Sequence, residues 1–300
     1  MNRLRSETGQ AAVLTIVFLT ALLGAVAMVL DVGSWFREQR ATQSAADAAA
    51  LAAAQALPES TGTSSALAAQ YLGSNGGGAG EFAFSSKNLA NDTVTVTVTR
   101  EADSTFAKLF GIDAVDVHAK ASARSGNPDN ARYAAPIAVD RAHPLLNCTP
   151  RPCFNQDTTL DLKKTGAGAF RLLNLDLSHG GTGGKIDAHW ILKGFDGYMP
   201  LSWYGSDPGA AFNDQKIQEA LDARVGDELL FPVYDAVKSN GANFEYRVIG
   251  WVGFVVTSFT ANGSKGIVNG HFVRVIWEGI LSESGGGSED FGVRSVELVE

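Results

Sequence analysis

The chain has 300 residues, with 24 Lys or Arg against 32 Asp or Glu, a net charge of −8, and 45% hydrophobic residues. That length fits about two domains, and the apolar content supports a sizeable core. The acidic balance and the lack of a Lys/Arg cluster argue against a nucleic-acid partner.

Residues 11–30, "AVLTIVFLTALLGAVAMVL" with the preceding Ala11, carry no charge, and their only polar members are Thr15 and Thr20. As a helix they would cover about 30 Å, the thickness of a bilayer's hydrocarbon core. Helix carbonyls can accept hydrogen bonds from the two threonine hydroxyls. Arg3 and Arg5 precede the run and Arg37 and Arg40 follow it, so flanking charge gives little orientation bias. A short basic head before an apolar core, and a cysteine pair that suits an oxidising compartment, favour a cytoplasmic N-terminus. Ala25–Ala27 has the small-x-small form of a signal-peptidase site, so a cleaved, exported protein is the rival reading. The apolar run continues through Met28, Val29 and Leu30, longer than a usual signal core.

The helical pattern continues past Asp31. Residues 41–57 contain ten alanines and no glycine or proline, and Pro58 stops the helix. A single helix from Gln10 to Leu57 would be about 72 Å long. Ala45, Ala49 and Ala53, with Ala46, Ala50 and Ala54, form a smooth face suited to close helix packing, either on its own domain or in a homo-oligomer of stems.

Residues 64–73 read as a short helix closed by Gly73, followed by the strand-like "EFAFSS" and a strictly alternating Val/Thr strand at 92–100. "DSTFAKLFGI" reads as a helix with Asp103 or Ser104 as cap and Gly111 as stop, and "VDVHAKASAR" as another strand. His118 in that strand has no second ligand nearby. "SGNPDNAR" is turn-rich and marks a domain boundary. Beyond it, "TLDLK", "AFRLLNLD", "KIDAHWIL", "ELLFPVYDAV", "FEYRVIGWVGFVVTSF", "GHFVRVIWEGIL" and "VRSVELV" read as strands, with one helix at 210–221. The expected fold is α+β. A transmembrane helix (11–30) and stem fill residues 1–57, a small α/β domain 58–126, and a linker 127–132. An extracytoplasmic, mainly antiparallel β-sandwich or barrel fills 133–300.

The chemistry-bearing residues do not assemble into an enzyme motif. His118, His143, His179, His189 and His271 lack metal-ligand spacing, and no nucleophile elbow or phosphate loop is present. "HGGTGG" at 179–184 reads as a hairpin turn. Asp176 and Ser178 resemble part of an adhesion-type Mg²⁺ site, but Gly180 stands where a hydroxyl ligand belongs. Asp161, Asp187, Asp196 and Asp227 are scattered, with no reason to pair them as acid and base. No cofactor and no metal site are expected. Cys148 and Cys153, the only cysteines, fit one local disulfide. Of the aromatics in the second half (Trp190, Trp203, Tyr204, Trp251, Phe254, Phe272 and Trp277), Trp203 and Tyr204 lie in "MPLSWYGSDPG", a candidate contact loop.

The stretch "ETGQAAVLTIVFLTALLGAVAMVLDVGSWFREQRATQSAADAAALAAAQAL" resembles the N-terminal segment of the TadE/TadG-like proteins of the tight-adherence (Flp) pilus system. The match lies in the G-Q start, the apolar run ending in D-V-G, and Gln43–Ala54. "TVTVTVTREADSTFAKLFGIDAVDVHAKASA" is similar to the segment that often follows. The resemblance implies a single-pass, non-enzymatic cell-membrane protein with extracytoplasmic bulk, serving pilus assembly or surface adhesion, with pilus-assembly or envelope proteins as partners. Prepilin-like members carry a glutamate five residues after their cut glycine. Here that position after Gly9 is Leu14, so the resemblance implies an uncleaved TadG-like member. The alternative class is an anchored or secreted binding module, for glycans or another surface ligand, working through the C-terminal aromatics.

Overall fold

The computed structural model describes residues 8–149, 152–162, 172–178, 183–206, 214–240, 243–262, 265–281 and 288–299. The fold is α+β, a long N-terminal apolar helix followed by a strand-rich part. It divides into two compact units, one of residues 1–86, 93–124 and 298–300, the other of residues 87–92 and 125–297.

The first unit is built on α1 (Thr8–Ala54), one continuous helix of 47 residues. Between residues 11 and 30 its side chains are exposed almost throughout. Thr15 and Thr20 donate to the carbonyls of Ala11 (2.9 Å) and Ile16 (2.8 Å), so their hydroxyls are satisfied within the helix. From Asp31 onward one face is buried. Helix α2 (Thr61–Ser74) begins where the Ser60 hydroxyl accepts from the Thr63 amide, the cap that frees the first turn from an orphan donor. It runs past the expected stop at Gly73, and the amide of Gly77 closes it on the Leu72 carbonyl.

Three strands follow, β1 (Ala79–Ser85), β2 (Thr93–Asp103) and β3 (Ala114–Gly126), paired antiparallel in chain order. The alternating Val94, Val96 and Val98 of β2 are fully buried, and Val117, Ala119, Ala121 and Ala123 of β3 join that side. Helix α1 packs on α2 and β2. Alanines on the helix against valines on the strand allow a close approach. The segment expected as a helix at 103–111 is instead the end of β2 plus one 3-10 turn, Ala107–Phe110, ended by Gly111 at φ 83°. Asp103 and Ser104 do not cap it; its N-terminal amides are bound by Asp31 of α1.

The second unit contains β4 (Pro128–Ala131), β5 (Val139–Asp140), β6 (Asp157–Asp161), α3 (Gly184–Lys193), β7 (Met199–Pro200), β8 (Trp203–Gly205), α4 (Gln215–Asp222), β9 (Glu228–Asn240), β10 (Asn243–Asn262), β11 (Lys265–Val273), β12 (Val275–Ile276), β13 (Gly279–Leu281) and β14 (Val293–Val299). Its main sheet has the order β5-β9-β10-β11-β6, with β8 also pairing with β10; a second sheet runs β13-β4-β7. Residues 127–132, expected as a linker, thus contribute a paired strand with Ala131 fully buried. The two faces of the main sheet bury different sets of side chains. Phe231, Phe254 and Phe272 pack with Ile191 of α3 and Ile217 and Leu221 of α4. Leu230, Tyr246 and Trp251 pack with Tyr204 and Trp190. Covering both faces explains why β9 and β10 read as apolar runs rather than as alternations.

Residues 185–192, expected as a strand, lie within helix α3. Buried Asp187, Ala188, Trp190 and Ile191 recur three and four apart, the helical period. Gly194, at φ 75°, ends it, and a Cβ there would overlap the backbone of Tyr133. Of "AFRLLNLD", expected as a strand, residues 169–171 lie outside the described residues, and Leu172 and Leu173 make only isolated bridges, to Ile137 and Ser206, before a turn; the first part of the expected helix at 210–221 also lies outside the described residues. So does most of "HGGTGG". The segment "GHFVRVIWEGIL" is broken into β11, β12 and β13 rather than forming one strand.

Candidate functional site

The exit of α1 from its apolar stretch is the most constructed part of the first unit. Asp31 directly follows Leu30 and is 2% exposed, while Val29 two residues earlier is 71% exposed. The Asp31 carboxylate accepts hydrogen bonds from three consecutive backbone amides: Thr105 (2.8 Å), Phe106 (2.9 Å to the nearer oxygen) and Ala107 (2.5 Å). A carboxylate facing three amides at the start of a 3-10 turn is a helix cap supplied from 74 or more residues away in sequence. The sequence signal was there: an acidic residue directly after an apolar run, on the same helix, needs a partner when it is buried.

Further along, the helix and the β2–β3 hairpin are joined rung by rung. Arg100 reaches Glu38 at 3.5 Å and also donates to the carbonyls of Gly77 and Asn75 (2.7 and 2.6 Å). Gln39 donates to the His118 carbonyl (2.6 Å), and Gln43 to the Lys120 carbonyl (3.0 Å). Residues four apart on one helix face thus meet alternate carbonyls of one strand.

The stem alanines Ala45, Ala46, Ala49, Ala50, Ala53 and Ala54 are all at most 2% exposed within this unit. Their face is occupied by the chain's own α2 and β2. Of the two packings expected for this face, the structure shows the one on the chain's own unit, and the six side chains present no free surface there. His118, in β3, exchanges a hydrogen bond with Thr99 across the β2–β3 pair (2.9 Å).

In the second unit, the candidate contact loop does not hold as a loop. Trp203 and Tyr204 lie in β8, paired with β10. Tyr204 is fully buried and its hydroxyl donates to the Pro200 carbonyl (2.7 Å); burial pushes its phenol pKa up. Trp203 is half-buried, with the Lys238 ammonium 4.4 Å from its ring centre. The sequence pattern of this stretch did not separate a polar loop from a short strand. Cys148 and Cys153 are joined as a disulfide with a Cα–Cα distance of 5.9 Å.

The remaining candidates are held in structural roles. Asp196 pairs with Arg132, which also binds Glu278 (2.9 Å); these bonds push the guanidinium's pKa up. Asp227 pairs with Arg224 (3.0 Å), Asp187 is fully buried in α3, and Asp161 lies in β6 opposite Ile267. The Asp176 carboxylate accepts from the Ser178 amide (2.9 Å), a turn rather than a metal ligand pair; Gly180 lies outside the described residues. The His143 ring accepts from the Leu145 amide and His271 lies 3.8 Å from Asp157. Among the described residues no three His, Cys, Asp or Glu side chains are grouped to hold a metal ion. A cleft of about 720 Å3 lies between residues 138–145 and 157–162, with no aromatic lining apart from the His143 ring.

Residues 9–56 match the family model described as "Putative Flp pilus-assembly TadE/G-like". No curated protein and no solved structure matches the chain. The matched residues span the apolar run, the Asp31 cap and the buried alanine face, all but its last residues lying in α1. Over residues 9–56 the chain is similar to this TadE/G-like family model, and the rest of the chain lies outside the match.

Proposed function

We propose that the protein is a non-enzymatic, single-pass membrane protein of a pilus-assembly system, with the part of the first unit beyond Asp31 and the second unit on the extracytoplasmic side. The observation that carries this reading is the TadE/G-like match over an apolar helix that has no buried residues in its most hydrophobic window. An exposed stretch of this length and character needs a hydrocarbon environment. The matched segment is also where the first unit is anchored, through Asp31, Gln39 and Gln43. The disulfide favours the oxidising side of the membrane for the second unit.

The partners are the pilus machinery and other envelope proteins, engaged by the units' outer surfaces or by the apolar span. The buried alanine face is unavailable. A non-catalytic role is in keeping with carboxylates and histidines tied into turns, ion pairs and sheet contacts. The binding-module alternative has fewer aromatics to draw on, because Tyr204 and Trp251 are core residues.

The test is crosslinking in cells that assemble the pilus, with a photoreactive residue placed along the exposed span, for example at Val17 or Leu23. Covalent products with pilus-assembly membrane proteins, and loss of surface pili on deleting the gene, are expected. Normal piliation without the protein, and no such products, would remove the proposal.

A further inference from the structure

We infer that the tip of the β2–β3 hairpin, residues 106–112, is a second membrane contact that dips into the bilayer interface beside α1. This rests on the reading of residues 11–30 as the membrane span. The tip carries Phe106, Leu109, Phe110 and Ile112, and Leu109 and Phe110 are each 83% exposed. An unpartnered cluster of large apolar side chains in a short loop needs a covering surface.

Height along α1 identifies that surface. Lys120 sits at Gln43 and His118 at Gln39. Arg100 sits at Glu38, and Thr105–Ala107 at Asp31. As β2 advances from Arg100 toward the tip, its partners on the helix step back toward the apolar run. The hairpin thus points toward the bilayer and its tip is fastened at the residue where the run ends. Asp31 fixes this height: its carboxylate faces protein amides, not lipid, at the boundary. On α1 itself Phe36, 63% exposed, adds an aromatic one turn beyond that boundary, and Lys108 gives the tip a cation for headgroups. Lipid is the occupant because the cluster is continuous with a surface that already requires it.

The test uses the full chain in bilayer nanodiscs, with a single environment-sensitive fluorophore attached at a new cysteine and spin-labelled lipid as quencher. The native cysteines are paired and do not react. The variants are Leu109→Cys and Phe110→Cys at the tip, Val17→Cys in the span and Glu81→Cys as the aqueous reference. Glu81 lies opposite Thr97, itself opposite Lys120, and so stands at the level of Gln43, about 18 Å beyond Asp31. We expect blue-shifted emission at both tip positions and loss of most of their fluorescence to lipid quencher, with the Glu81→Cys label unquenched. A tip label as wet and unquenched as the Glu81→Cys label, with the Val17→Cys label quenched, overturns the inference and leaves the span intact. A tip label that is blue-shifted but unquenched also overturns it, in favour of a protein cover. An unquenched Val17→Cys label overturns both.

Discussion

At Asp31 the helix changes from a surface that needs lipid to one that carries a folded unit, and a single carboxylate marks the change. Its three amide partners are held by nothing else in the described contacts. Removing it takes the acceptor from three amides at the start of the 3-10 turn and leaves that turn uncapped. Asp31→Ala is expected to lower the melting temperature of the first unit and to speed hydrogen exchange at Thr105, Phe106 and Ala107. Asp31→Asn, which keeps one acceptor oxygen, falls between the two. Unchanged exchange at these amides in Asp31→Ala would show that the cap contributes nothing. Other charges are local. Arg247 donates two hydrogen bonds to Asp235 and holds its carboxyl below the usual range, against a smaller upward push from partial burial. The stability from that pair is present above ordinary carboxylate pH and is lost as the pH falls through the depressed value.

At the scale of elements, the alanine-rich part of α1 was legible as a helix but not as a buried one. Composition says that a small-residue face can pack closely; it does not say on what. Here α2 and the Val94, Val96, Val98 face of β2 belong to the same unit and reach it first. Ala49→Leu is therefore expected to overpack a filled contact and destabilise the first unit by about 1–3 kcal/mol, independent of protein concentration. A loss that grows on dilution would instead place this face between copies. The same limit explains the other differences. Residues 184–193 carry both Ala188/Ile191 helical spacing and strand-like residues, and packing on α4 decides for the helix. Residues 103–111 offer Asp103 and Ser104 as local caps, but β2 runs through Asp103 and the distant Asp31 takes the amides at the start of the single 3-10 turn. Residues 128–131 look like a turn because of Asn127, Pro128 and Asn130, yet pair as β4 between β7 and β13.

For the whole molecule, the apolar span, the continuous stem helix and the strand-rich remainder were readable from hydrophobic pattern alone. These are long, strongly periodic signals. The tertiary capping at Asp31 and the exposed tip at Leu109 and Phe110 were not, because both depend on contacts between distant parts of the chain. The functional reading needs the molecule to cross a membrane once with its folded parts outside. That is tested most directly by labelling single-cysteine variants in intact cells with a membrane-impermeant maleimide, in membranes washed at alkaline pH. A single crossing with the folded parts outside predicts that Glu81→Cys reacts in intact cells, that Asn2→Cys reacts only after permeabilisation, and that both stay with the membrane. Reaction of Asn2→Cys alone in intact cells, or a labelled protein released as a soluble form beginning near Met28, would contradict it.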